Sequence, residues 1–201
     1  MGASVLIQQA HGGRSPFERL VLLAPLIDIR GLRFPRAARL LADILDVLGL
    51  GGAFVPGGGG TSLQTRPFKG NRLTRDPVRY KRNGDVIVAC PQIALGDPTI
   101  GWVGAAFRLI DEFEDPEYPR RVLTPILMFA AGADRVVSTP RIERFGHRLK
   151  AGAVIVLEQS EHEILSERDA IRDRFWAAFD AFIPGSRDEA EKLATAHGSA
   201  I

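Results

Sequence analysis

Asp134 and His162 are the two residues whose types and spacing could perform acid–base chemistry together. In a Ser-His-Asp relay the acid orients the imidazole and stabilises its charged form, while the imidazole takes the proton from a serine hydroxyl. Asp134 closes the run Thr124-Pro-Ile-Leu-Met-Phe-Ala-Ala-Gly-Ala-Asp134, the pattern of a buried strand ending in a turn with a carboxylate at its tip. His162 follows a second apolar run, Ala153-Val-Ile-Val-Leu157, and opens a helical pattern. The gap from 134 to 162 accommodates one helix and one strand, so both side chains return to the same sheet edge. An aspartate in a glycine-containing turn is by itself usually a turn former, and a lone histidine is usually structural. Their order, each placed after its own strand, favours a catalytic pair.

Such an order calls for a nucleophile upstream, on a Gly-x-Ser-x-Gly turn. Met1-Gly2-Ala3 looks like the end of such a turn. The nearest serine, Ser4, falls a turn into a helical stretch and lacks the flanking glycines, so no nucleophile is expected within this chain. His162-Glu163 is not a zinc-protease helix, because Ser166 stands where the second histidine belongs. No metal and no cofactor are expected. Glu161 and Glu163 are read as solvated or capping. The glycines at 57–60 lack the Lys and Ser/Thr of a phosphate loop and read as a flexible cap loop.

The elements that must position the pair follow from periodicity. Residues 3–10 read as a short helix stopped by His11-Gly12-Gly13. The apolar stretch within 17–29 fits a strand buried on both faces, as in a parallel sheet. Pro35 to Leu50 has helical spacing, with Ala38, Leu41, Ile44, Leu45 and Leu48. A second helix is expected from Pro98 to Phe113, with Trp102, Ala105, Ala106, Leu109 and Ile110 along a stripe. Alternation of strand and helix resumes at Arg121: a strand to Ala130, a helix near 139–150 and a strand at 153–157. A last helix is expected to begin on the capping pattern Ser166-Glu-Arg-Asp169 and to bury Ile171, Phe175, Ala178, Phe179 and Phe182. Four regions result: core residues 1–33, an inserted cap at 34–120, core residues 121–185 carrying acid and histidine, and a tail at 186–201.

Composition narrows the class. The 201 residues are 45% hydrophobic and 25% charged, as in ordinary globular chains. A net charge of +2 with mixed signs gives no nucleic-acid footprint. No apolar stretch reaches the roughly 20 residues of a membrane span, and the N-terminus has no signal-peptide pattern. Met1-Gly2 does not continue as a myristoylation signal, since position 6 is Leu6. Cys90, the single cysteine, cannot form an internal disulfide and reads as a small buried hydrophobe. The cytoplasm is the expected compartment.

Several stretches together resemble the lysophospholipases and monoacylglycerol lipases of the α/β-hydrolase superfamily, with their serine-aminopeptidase-like members. They are Leu22-Leu-Ala-Pro-Leu-Ile-Asp28, Asn71-Arg-Leu-Thr-Arg-Asp-Pro-Val-Arg-Tyr80, Pro98-Thr-Ile-Gly-Trp102, Ala131-Gly-Ala-Asp134-Arg-Val-Val137 and Glu161-His162-Glu163-Ile-Leu165. The resemblance covers residues 1 to about 185. It implies an α/β fold: the C-terminal part of an α/β-hydrolase parallel sheet with an inserted, mainly helical cap. It also implies carboxylic ester hydrolysis by a Ser-Asp-His triad, with the serine falling immediately before Met1 and the Met1 backbone N–H forming part of the oxyanion hole. Trp102 becomes a candidate substrate contact. The partners implied are small-molecule or lipid esters, with transient contact to a membrane surface. An open sheet edge at the first strand would favour self-association. The chain alone is expected to be inactive, and the rival reading is a truncated pseudoenzyme or interaction fragment. A binding module that holds acyl ligands through the cap is a further rival.

Overall fold

A computed structural model describes residues 1–13 and 15–183. Its centre is β2 (Ile126–Ala131), whose six residues are all buried. Alternation sends Ile126, Met128 and Ala130 into one hydrophobic cluster and Leu127, Phe129 and Ala131 into another, so a continuous apolar run is what this position demands. β1 (Leu20–Leu23) and β3 (Gly152–Leu157) flank it in the order β1-β2-β3, both parallel to it. Leu20 stands against Ile126 and Ile126 against Gly152, which brings the carboxyl ends of all three strands to one edge.

Helices cover both faces. On one side α1 (Gly2–Ala10), α4 (Ile100–Glu114) and α5 (Thr139–Gly146) contribute Ile7, Phe107, Ile110, Phe113, Ile142 and Phe145 to the first cluster. On the other, α6 (Asp169–Phe182) lays Ile171, Phe175, Ala178, Phe179 and Phe182 on the second, the stripe that its sequence spacing predicts. α2 (Pro35–Leu45) and α3 (Pro77–Ala89) lie in the expected insert.

The expected boundaries shift in places for local reasons. The apolar stretch at 17–29 is strand only for four residues, because Ala24 turns to φ 40° and Pro25 follows. The helix expected to Leu50 closes at Leu45 and continues as a wider turn at 46–50, where Gly49 takes φ 80°. The apolar stripe of that helix largely faces outward, with Leu48 68% exposed. The last helix starts at Asp169 with Arg168 as its cap, and no side chain caps it; Ser166 sits instead in a short 3-10 turn at Ile164–Ser166. His162 therefore stands in a loop after β3 rather than opening a helix. The glycines at 57–60 are tied down, Gly58 donating to the Val55 carbonyl and Gly59 to the Asp97 carboxylate. Within the insert expected at 34–120, α4 contributes to the core cluster, and α2 packs on α4 while leaving Leu40 and Leu41 exposed. Cys90 is half-buried at the C-terminal end of α3, not fully buried. The expected tail at 186–201 lies outside the described residues.

Candidate active site

The carboxyl ends of β2 and β3 are stitched together by backbone. Gly132 N–H donates to the Leu157 carbonyl at 2.9 Å, and Ala133 N–H to the Ser160 carbonyl at 2.9 Å. Glycine suits position 132 because a Cβ there would lie 3.0 Å from Glu158 Cα and 3.1 Å from the Leu157 oxygen, closer than side chains usually come. Gln159 takes φ 64° to reverse the chain after β3. These two turns carry Asp134 and His162 toward each other.

The two side chains meet. His162 Nδ1 lies 2.8 Å from Asp134 Oδ2. The other carboxylate oxygen accepts from the amides of Val136 at 2.7 Å and Val137 at 3.0 Å. Asp134 is fully buried, whereas the His162 side chain is 25% exposed. Burial works to raise the Asp134 carboxyl. The hydrogen bond and charge of His162, with the two amides, outweigh burial and hold the carboxyl below the usual aspartate value. An ionised carboxylate only accepts, so Nδ1 donates a proton to Asp134, and in the neutral tautomer that leaves the free lone pair on Nε2. The arrangement can take a proton at Nε2 and stabilise the imidazolium that forms.

The remaining candidates make no hydrogen bond to this pair among the described residues. Ser4 is fully buried and its hydroxyl donates to the Leu26 carbonyl at 3.0 Å, so it packs into the core rather than facing a ligand. Met1 stands at the N-terminus of α1, its carbonyl accepting from Ser4 and Val5. Trp102 is 41% exposed on the first turn of α4. Among the described residues no hydrogen bond links Met1 or Trp102 to the pair. In the Pro98–Trp102 segment, Thr99 caps α4 by accepting from the Trp102 amide, and Gly101 N–H donates to the Gly51 carbonyl at 2.9 Å.

The segment at 71–80 proves to be a clamp on the histidine loop. Asn71 Oδ1 accepts from the amides of Leu73 and Thr74. The Thr74 hydroxyl donates to the Ser166 carbonyl at 2.7 Å, and the Leu73 carbonyl accepts from Glu163 N–H at 2.7 Å. Asp76 caps α3 through the amides of Val78 and Arg79. Arg79 then bridges Asp76, the Glu167 carbonyl and Asp169. Glu161 is buried, not solvated, and pairs with Arg135 at 2.9 Å. Glu163 accepts from Gln64.

Sequence reasoning missed Glu167. It is fully buried, and its carboxylate accepts from Glu161 N–H at 2.7 Å and from Arg75 N–H at 3.2 Å. It thus fastens the clamp to the residue preceding His162. In the sequence it sits in a charged run and carries no periodic signal.

A parallel sheet with helices on both faces, an acid after one strand and a histidine after the next, is the α/β-hydrolase arrangement. The chain belongs to the family described as serine aminopeptidase, S33, whose model matches residues 1–169. It is 25% identical over 183 residues to the probable lysophospholipase L2 of Haemophilus influenzae, covering 91% of this chain and 57% of that protein. It is 33% identical over 117 residues to lysophospholipase L2 of Escherichia coli K12, covering 53% of this chain and 33% of the relative. The chain therefore spans little more than half the length of the first of these relatives, and less of the second. Among solved structures, a soluble variant of the Saccharomyces cerevisiae monoglyceride lipase, in complex with a substrate analog, superposes with a TM-score of 0.65. The identity is 13%, over 88% of this chain and 59% of that one. The monoacylglycerol lipase of Paleococcus ferrophilus gives 0.63 at 17% identity, over 88% and 62%. These likenesses establish the fold. No helix among the described residues is long and apolar enough to cross a membrane.

Proposed function

We propose that this chain carries the acid and the general base of a carboxylic ester hydrolase of lysophospholipase or monoacylglycerol-lipase type. Asp134 orients His162. Nε2 of His162 accepts the proton of a serine hydroxyl as that oxygen attacks the ester carbonyl, then returns it to the departing alkoxide. Water repeats the sequence on the acyl-enzyme and frees the acid. The serine is supplied from outside residues 1–201, and the Met1 backbone N–H is one oxyanion donor in the assembled site. Trp102 is the aromatic candidate for contact with the acyl group. The observation that carries this reading is the 2.8 Å contact between a fully buried carboxylate and an imidazole that is itself 25% exposed. Family membership and the relatives named lysophospholipase support the substrate class.

The test begins with the coding DNA directly upstream of the Met1 codon. An open frame ending in Gly-x-Ser is expected. The product of the whole frame should release fatty acid from lysophospholipid or monoacylglycerol and react with a fluorophosphonate probe, and His162→Ala should abolish the release. A stop or frameshift close upstream, or a whole-frame product unaffected by His162→Ala, overturns the reading. The 201-residue chain alone is expected to hydrolyse no ester; robust hydrolysis lost in His162→Ala would place the nucleophile inside it.

A further inference from the structure

Beside the acid turn lies a cavity of about 650 Å³ whose charged lining is entirely cationic: Arg30, Arg66, Lys69, Arg72 and Arg135. Among the described residues no carboxylate lines it. Two of the five cations are neutralised from behind. Arg66 pairs with Asp97 at 2.5 Å, and Arg135 with Glu161 at 2.9 Å. Arg30 donates to the Asp134 carbonyl, which is neutral and leaves its charge in place. Lys69 and Arg72 pair with no carboxylate among the described residues. Three exposed cations thus face one concavity with no carboxylate partner among the described residues, a mutual repulsion that salt screens and a bound anion relieves.

The rest of the wall is mainly apolar, with Ile29, Leu63, Leu73 and Val136; of its polar members, Asn71 has its side-chain oxygen engaged by the Leu73 and Thr74 amides. The Tyr80 hydroxyl donates to the Leu63 carbonyl at 2.6 Å, so it is engaged within the wall. The cavity adjoins the site on both sides of the pair. Arg135 and Val136 directly follow Asp134, and the Leu73 carbonyl holds Glu163, the neighbour of His162. Cationic side chains beside an apolar wall suit an amphiphile with an anionic head. Arginine forks match phosphate oxygens in pairs, and lysine adds a point charge.

We propose that this cavity binds the phosphate of an acylglycerol phosphate ester, and so directs the site toward lysophospholipids rather than neutral monoacylglycerols. The substrate assignment rests on the ester-hydrolase reading; binding itself needs no nucleophile and is measured without turnover.

The experiment is calorimetric titration of the 201-residue chain at low ionic strength. The probes are 1-lauroyl-glycerol 3-phosphate below its critical micelle concentration, glycerol 3-phosphate, inorganic phosphate and 1-lauroyl-glycerol. The expected order is acylated phosphate first, glycerol 3-phosphate next, and the neutral glyceride last, with affinity for the phosphate esters falling as salt is added. Lys69→Ala with Arg72→Ala should weaken the phosphate esters by about tenfold or more, as expected for losing charge-assisted hydrogen bonds. Lys69→Arg with Arg72→Lys, which keeps both charges, should retain most of the binding. Three results would overturn the proposal: neutral glyceride bound as well as its phosphate, inorganic phosphate bound as well as the acylated ester, or the alanine pair binding like the parent. Because no step involves hydrolysis, an inactive enzyme that binds phosphate esters would sink the functional reading and leave this one standing.

Discussion

The acid turn and the cavity wall beside it are both polar, and they treat their polar groups in opposite ways. Around Asp134 both carboxylate oxygens and the neighbouring amides are matched: Oδ2 to His162, Oδ1 to two backbone N–H groups. In the wall formed by residues 63–73, Lys69 and Arg72 find no carboxylate among the described residues. A satisfied buried group is fixed in place and serves positioning. A charge facing a cavity without a partner contributes nothing to holding the fold and is available to a ligand. The contrast separates residues whose loss should disturb geometry from residues whose loss should disturb only binding.

The largest break should come at the satisfied end. Asp134→Asn keeps the shape but removes the ionised acceptor, so the imidazole loses the partner that fixes its proton on Nδ1. In the assembled enzyme kcat should fall by about 10⁴-fold, with KM little changed. A loss below about tenfold would mean that the 2.8 Å contact is structural.

Glu167 comes next. Glu167→Gln leaves an acceptor oxygen but no charge, and puts an amide group where one carboxylate oxygen meets the N–H groups of Arg75 and Glu161. Hydrogen bonds to charged groups contribute about 1.5–3 kcal/mol each. Urea unfolding should report a loss of about 1–3 kcal/mol. If instead stability held and only activity fell, Glu167 would be positioning His162 without helping to hold the fold.

The pair was legible in the sequence because its logic is local: a strand, a turn and a carboxylate, then a strand and a histidine, each readable from a few residues. β2 and α6 were legible for the same reason, the one as an uninterrupted apolar run and the other from its helical stripe. Glu167 was not, because its burial depends on residues 75 and 161 arriving from two other segments. The outward face of α2 escaped for a related reason: helical spacing announces an apolar stripe but not what covers it. The shortened β1 turned on one residue, Ala24, entering the left-handed region. The segment at 71–80 was visible as a pattern, but its grip on Ser166, Glu167 and Asp169 joins residues about ninety positions apart and arises only in the fold.

The pH dependence sharpens the same contrast at a smaller scale. Asp134 is held below the ordinary aspartate value in the fold and takes that value when unfolded. The unfolded state therefore binds more protons in the window beneath about pH 4, and stability rises with pH through it. The contribution is complete above the unfolded value and disappears as pH falls through the folded one. Asp76 and Asp97 are depressed as well, by the Arg79 amide and the Arg66 side chain first, so the parent alone does not isolate Asp134. Asp134→Asn should flatten the acid limb of the urea midpoint by at most one proton's slope, about 1.4 kcal/mol per pH unit. An unchanged limb would mean that His162 and the amides do not stabilise the ionised form.

The smallest effect should come from the unmatched end. Arg72 is exposed and pairs with no carboxylate among the described residues, so Arg72→Ala removes no favourable contact with another charge and relieves repulsion from Arg30 and Lys69 across the cavity. Stability should stay within about 0.5 kcal/mol of the parent, with any shift toward greater stability at low salt. The same variant should bind acylglycerol phosphate more weakly. A melting temperature that drops clearly, and drops equally at high and low salt, would show Arg72 packing its stem into the wall. The distinction between matched and unmatched charge would then fail at the residue where it is drawn most sharply.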